Sequence, residues 1–196
     1  MKNIPRPFYL IASLLLGTLI LSQCAVDPLT RSNANNANAS ELAGESRSAL
    51  AELYRTNPKA RQLGARAQGI LVFPNITKGG FMLGGMGGNG TLIRPDGSIR
   101  DFYQTAGLSY GLQAGVQQYG YALFLMDRQA MANLNRTDGW EVGSAPSLTI
   151  VDQGVAASLS TATIDSGTYA FFFNQRGLMG GLGLQGSKIT RIQPGR

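Results

Sequence analysis

All but two of the chain's 26 glycines, Gly17 and Gly44, lie from Gly64 onward. A glycine-rich stretch of this length has few ways to fold. Collagen is excluded because the glycines keep no three-residue period. Short β-type runs alternate with turn signals instead. Gly69 to Pro74 is a compact apolar run, and Thr91 to Ile93 and Ile99 to Tyr103 flank Arg94-Pro95-Asp96-Gly97-Ser98. Proline, aspartate and glycine in that order are hairpin-turn chemistry. Leu108 to Gln117 alternates strictly: Leu108, Tyr110, Leu112, Ala114 and Val116 fall on one face, and Ser109, Gly111, Gln113, Gly115 and Gln117 on the other. Tyr121 to Met126 is apolar on both faces, as a central strand is. Asp127 to Asn135 suits one or two helical turns. Ser147 to Val151, Val155 to Thr161, Thr168 to Phe173 and Gly177 to Ile192 supply further strand-like runs. Glycine at alternate strand positions removes side chains, allowing close layer approach, bulges and strong coiling.

The segment before this region has a different period. Leu42, Ala49, Leu50, Leu53 and Tyr54 recur at helical spacing, with Asn38 or Ser40 as the cap. Asn57-Pro58 ends that helix near Thr56 and offers an N-cap followed by proline at the first position of a second one. Ala60, Leu63 and Ala67 form the second helix's narrow apolar stripe. The expected fold is therefore α+β and mostly β: two N-terminal helices packed on a strongly coiled, largely antiparallel sheet or partial barrel.

Residues 1–23 read as an export signal. Lys2 and Arg6 give a basic head, Phe8 to Leu21 is almost uninterrupted apolar sequence, and Leu21-Ser22-Gln23-Cys24 closes it. The stretch falls short of the about 20 apolar residues a membrane-crossing helix needs. Cys24, the only cysteine, stands three places after a leucine, the pattern of a bacterial lipoprotein signal in which that cysteine becomes the acylated N-terminus. Gln23 departs from the pattern, because a small residue usually precedes the cysteine. Ordinary cleavage nearby, or an uncleaved leader with a spectator thiol, is the alternative. Residues 24–40, including the run Ser32 to Ser40, have little to bury and read as a flexible tether.

Composition removes several classes of chemistry. The chain has no histidine, so a Ser-His-Asp or Cys-His system and any imidazole-built zinc site are unavailable. Its 11 acids form no calcium-loop pattern, and no carboxylate pair stands out by spacing. No cofactor is expected. Gly85-Met-Gly87-Gly-Asn-Gly90 matches the dinucleotide fingerprint formally, but Thr91-Leu-Ile and a hairpin turn follow where that motif needs a helix. Tyr169, Phe171 and Phe173 share a strand face and suit core packing.

The net charge is +6, or +4 without Lys2 and Arg6, since residues 1–23 hold no acid. Between Glu52 and Asp96 there is no acidic residue, yet the interval holds Arg55, Lys59, Arg61, Arg66, Lys78 and Arg94. A one-sign block of this kind attracts phosphate-bearing surfaces, although a solvated helix face has the same appearance. An exported chain meets lipid headgroups rather than nucleic acid.

The glycine-rich blocks resemble a known family. Ala67-Gln68-Gly69 to Phe73 with Lys78-Gly79-Gly80-Phe81, then Gly107 to Val116, then Arg176-Gly177-Leu178-Met-Gly180-Gly-Leu182-Gly-Leu184-Gln-Gly186-Ser187, are similar in order to the SYLF domain, a lipid-binding domain, over about Leu42 to Ile192. The resemblance implies binding to phosphoinositide-bearing membranes in eukaryotic relatives, with an N-terminal amphipathic helix taking part and links to actin patches in yeast. Bacterial relatives are commonly small exported proteins or lipoproteins. It implies no enzymatic activity. Relatives often carry a tryptophan segment before the central strand; Asp101-Phe102-Tyr103-Gln104 stands there, and the lone Trp140 falls in what reads as a loop.

Together these readings give a signal peptide over 1–23, a tether over 24–40 and a single domain over 41–196. The expected function is a non-enzymatic lipid-binding lipoprotein of the bacterial envelope. Cys24 is the lipidation site, and Arg55, Lys59, Arg61, Arg66 and Lys78 are candidate contacts to anionic membrane lipids. Ala25 after the cysteine is compatible with an outer membrane. The alternative is a structural or protein-interaction module of the envelope with no specific lipid ligand, which presents the Ser109, Gln113 and Gln117 face, or an exposed sheet edge, to a protein partner.

Overall fold

The computed structural model describes residues 38–136, 139–141, 148–151, 167–177 and 187–195. Cys24, the leader, most of the tether and the run Val155 to Thr161 lie outside the described residues.

Two helices open the fold as their local signals require. Helix α1, Ala39–Thr56, is capped by Asn38, whose side-chain oxygen accepts from the backbone of Ser40 and Glu41. The cap places Asn38 to Ser40 in the helix start rather than in the tether. Helix α2, Pro58–Gly64, is capped by Asn57 accepting from Lys59 and Ala60, with proline where no amide donor is needed. Their apolar stripes, Leu50 and Leu53 from α1 and Ala60 and Leu63 from α2, are buried against the sheet.

Strands β1, Gly69–Ile93, and β2, Ile99–Leu125, form one long antiparallel hairpin through the Arg94–Ser98 turn. The separate short runs of the sequence thus join into two continuous strands. Glycine keeps both backbone hydrogen-bonding groups, so it thins the side-chain layer without ending the ladder. β2 is the shared strand of the sheet. On its other side it pairs with β5, Thr168–Gly177, over Gln117–Leu125 and with β6, Ser187–Ile192, over Phe102–Gly107. Helix α3, Arg128–Asn133, follows β2. Two short strands complete the sheet: β3, Trp140–Glu141, antiparallel to β6, and β4, Leu148–Ile150, parallel to β5. The result is two N-terminal helices on a strongly curled, largely antiparallel half-barrel. Trp140, expected in a loop, stands in β3 opposite Ile189 and is buried in the core.

Both faces of the sheet are covered near the free ends of the hairpin. Ile70, Val72, Ala122, Phe124 and Phe171 meet the two helices, with Phe124 edge-on to Phe171. Leu71, Phe73, Tyr119, Tyr121 and Leu123 line the inside of the curl with Ala130, Leu134 and Trp140. The curl is tight. A side chain at Gly90 would overlap the Val72 carbonyl and the Phe73 ring, and one at Gly88 would overlap the Asn75 carbonyl. The two ends of β1 approach each other at positions where only a bare backbone fits.

A bulge decides which residues face inward. The register shifts between Phe73 and Ile76, where Pro74 and Asn75 together oppose Gly120. The extra residue reverses the alternation. Val72 therefore faces the helices, whereas Ile76 and Lys78 face the interior.

Candidate functional site

The predicted basic residues divide into two places. Arg55 lies in the last turn of α1, exposed, with its guanidinium bonded to Glu52 at 2.6 and 2.9 Å. Glu52 is held below the usual carboxylate range chiefly by that hydrogen bond. The pair is solvent-screened and contributes little to stability. Lys59 and Arg61 lie on α2 and Arg66 just beyond it. Arg61 also donates to the Tyr54 carbonyl at 3.2 Å, which joins the two helices. Arg61 and Arg66 are exposed and Lys59 is half-buried. Four of the five predicted contacts thus sit on the helical layer, where the Ala60 and Leu63 stripe turns the charged positions outward.

Lys78 does not join them. It is 8 % exposed and lies inside the curl, directly across the hairpin from Gln117, itself 5 % exposed. The inward turn follows from the bulge at Pro74-Asn75. The same geometry corrects the expectation that Gln117 belongs to an outward polar face. The side chains at 109–114, including Ser109 and Gln113, lie outside the description.

The inside of the half-barrel is a mixed layer. Tyr119 donates to the Met86 sulfur at 3.6 Å. The oxygens of Thr105, Gln117 and Tyr121 are buried and make no hydrogen bond of good geometry among the described residues. Burial drives the Tyr121 hydroxyl far above the usual phenol range, with nearby Thr105 acting in the opposite direction. Burial also pushes Tyr119 up to about 12. No nucleophile–base pair arises from this set. Among the described residues no group of three or more Cys, Asp or Glu could hold a metal ion, and no helix among them is long and apolar enough to cross a membrane.

One open groove of about 210 Å³ lies where α1 crosses the bulge, lined by residues including Glu41, Glu45, Asn75 and Asn89. Its two carboxylates disfavour an anionic guest.

Two features escaped the sequence reading. Leu108 and Val116 are each 60 % exposed, although they stand on the apolar side of the alternation. Their partners directly across the hairpin are Gly85 and Gly79, which carry no side chain. The alternation itself was visible, but a two-residue period does not say which face meets solvent.

Comparison with known families places residues 106–193 in the Ysc84 model, described as Las17-binding protein actin regulator. Over that part, which begins inside β2 and runs through β6, the chain carries a SYLF/Ysc84-type domain. The match covers less than half of the chain. No curated protein matches it.

Proposed function

We propose that this protein is a non-enzymatic lipid-binding lipoprotein of the bacterial envelope. Cys24 is its acylated N-terminus, and Arg55, Lys59, Arg61 and Arg66 are its contacts to anionic headgroups. The observation that carries the reading is the exposed basic rim of the two-helix layer, in an interval from Glu52 to Asp96 without a single acid. Each such cation near an anionic surface is worth about 1 kcal/mol, so several together hold a folded domain against a bilayer. The SYLF/Ysc84-type segment is consistent with membrane interaction in general, and the leader ending in Leu21-Ser22-Gln23-Cys24 supports export and anchoring. The outer membrane, facing the periplasm, is the proposed location.

Flotation of the mature chain, residues 24–196 with Cys24→Ser to remove acylation, tests the electrostatic part. Binding to vesicles rich in phosphatidylglycerol should exceed binding to phosphatidylcholine vesicles and should fall with salt. Equal or salt-insensitive binding defeats it. Mass spectrometry of the native N-terminal peptide tests the anchor, and an unmodified Cys24 thiol removes it.

A second reading, a protein-interaction module, draws on the partner named in the family description. Crosslinking in intact cells separates the two, because a specific protein partner persists when lipid binding is abolished.

A further inference from the structure

Leu108 and Val116, two of the exposed apolar residues, stand on the face of the sheet ladder that also carries the helices. On β2 the odd positions Thr105, Gln117, Tyr119 and Tyr121 are buried inside the curl, with Tyr119 and Tyr121 in its apolar cluster. The even positions Ala122 and Phe124 lie under the helices. Leu108 and Val116 are even and belong to the helix-bearing face, beyond the part the helices cover. The pairing extends this face sideways. Arg176 stands opposite Gln118, two residues past Val116, and Lys188 stands opposite Ala106, two residues before Leu108. Both cations are exposed, and the acid described beside them is Glu141, across from Lys188. Around Leu108 and Val116 this face therefore carries exposed cations at 176 and 188, while the helices farther along it carry Arg61, Arg66 and the Glu52-paired Arg55 together with the α1 carboxylates Glu41 and Glu45.

We propose that Leu108 and Val116, with Arg176 and Lys188 beside them, enter the interfacial layer of an anionic bilayer. This rests on the lipid-binding reading above and names the surface that goes in. A soluble domain gains from burying large apolar side chains that it otherwise holds in water. Cations around such side chains are the arrangement by which interfacial segments engage anionic lipid. Val116 stands opposite Gly79 and Leu108 opposite Gly85, so the residue directly across from each adds no side chain between it and the headgroup layer.

The chain's single cysteine makes the test clean. In the mature chain with Cys24→Ser, one cysteine is introduced as Leu108→Cys, Val116→Cys or Gln129→Cys and labelled with an environment-sensitive nitrobenzoxadiazole. Gln129 is exposed on α3, which packs on the inner side of the curl. With phosphatidylglycerol vesicles, the labels at 108 and 116 should shift to the blue and be quenched by lipids carrying a doxyl group on the acyl chain. The label at 129 should do neither. The double variant Leu108→Asn with Val116→Asn, folded by circular dichroism, should partition about tenfold more weakly. Vesicle-bound protein whose labels at 108 and 116 stay unchanged overturns this inference and leaves the electrostatic reading standing. Protein that binds no anionic vesicle overturns both. A concentration-dependent blue shift without vesicles assigns the patch to a second copy of the chain and also overturns it.

Discussion

Lys78 lies directly opposite Gln117 in the β1–β2 ladder, and both side chains are turned into the half-barrel. This cross-strand pair separates Lys78 in kind from the other basic residues of its interval. Removing the nearly buried side chain in Lys78→Ala should lower stability, because its aliphatic stem leaves a void inside the curl. A loss of about 1–3 kcal/mol is expected. Its effect on vesicle binding by the folded protein should be nil. Arg61→Ala with Arg66→Ala should do the reverse, weakening binding by about 1 kcal/mol per residue with little change in the urea midpoint. Denaturant titration and flotation on the same samples check both outcomes.

Gly90 sits against the Val72 carbonyl and the Phe73 ring, where even a methyl group has no room. The obstacle is backbone and a ring wholly buried in the core, so neither yields easily. Gly90→Ala should cost about 2 kcal/mol or more, in the range of overpacked cores. Gly44→Ala, where nothing stands within 4 Å and the site is an exposed helix interior, should instead stabilise by up to about 1 kcal/mol. Urea unfolding of the two variants side by side gives the comparison.

Asp127 joins two elements with one carboxylate, accepting from Ala130 in the first turn of α3 and from Gly167 just ahead of β5, both at 2.7 Å. These backbone donors hold its carboxyl below the ordinary range, Ala130 foremost. The folded pKa is therefore depressed. The contribution is full above the unfolded value of about 3.9 and fades as pH falls through the folded one. Asp127→Ala should cost about 1–2 kcal/mol at neutral pH, as lost caps do. The difference from the parent should shrink below about pH 4, measured as urea midpoint against pH.

Tyr121 offers the opposite titration. Its hydroxyl is buried without a well-placed partner, and burial raises its pKa. A folded state that resists ionisation loses stability as pH rises past the unfolded value of about 10. Below that pH the contribution is fully present. Tyr121→Phe should be neutral, or stabilising by up to about 1 kcal/mol, because it removes an unsatisfied group without opening space. It should also soften the alkaline fall in melting temperature between about pH 10 and 11.5. A loss above 2 kcal/mol on Tyr121→Phe would show that the hydroxyl has a partner after all.

The helices were legible because their signals are local. Asn57-Pro58 fixes an end and a start within two residues, and the stripe of Leu50 and Leu53 specifies a buried side. The curled antiparallel sheet was also legible, since the hairpin turn at Arg94–Ser98 and the alternating β-type runs say so directly. Continuity of the strands was not, because glycine weakens strand propensity while leaving the ladder intact. The facing of Lys78 was not either. One extra residue at Pro74-Asn75 inverts the alternation for Ile76 and Lys78, and the one sign of it was Pro74, which strands admit mainly at edges and bulges. Gln117 and Val116 failed for a related reason. Their alternation runs through Gln117-Gln118, polar on both faces, into Tyr121 to Met126, apolar on both, so polarity there does not tell inside from outside.

The approach of β1 to itself bears on how the chain avoids its own kind. A strand of 25 residues paired with β2 along one side leaves a long second edge, for which no strand partner occurs among the described residues. Straight edges of that length template intermolecular sheets. Here the carbonyls of Val72 and Asn75 are folded onto Gly90 and Gly88 of the same strand, so the edge is bent too sharply for a neighbour to lie along it. An edge bent by its own glycines is a poor template for intermolecular pairing.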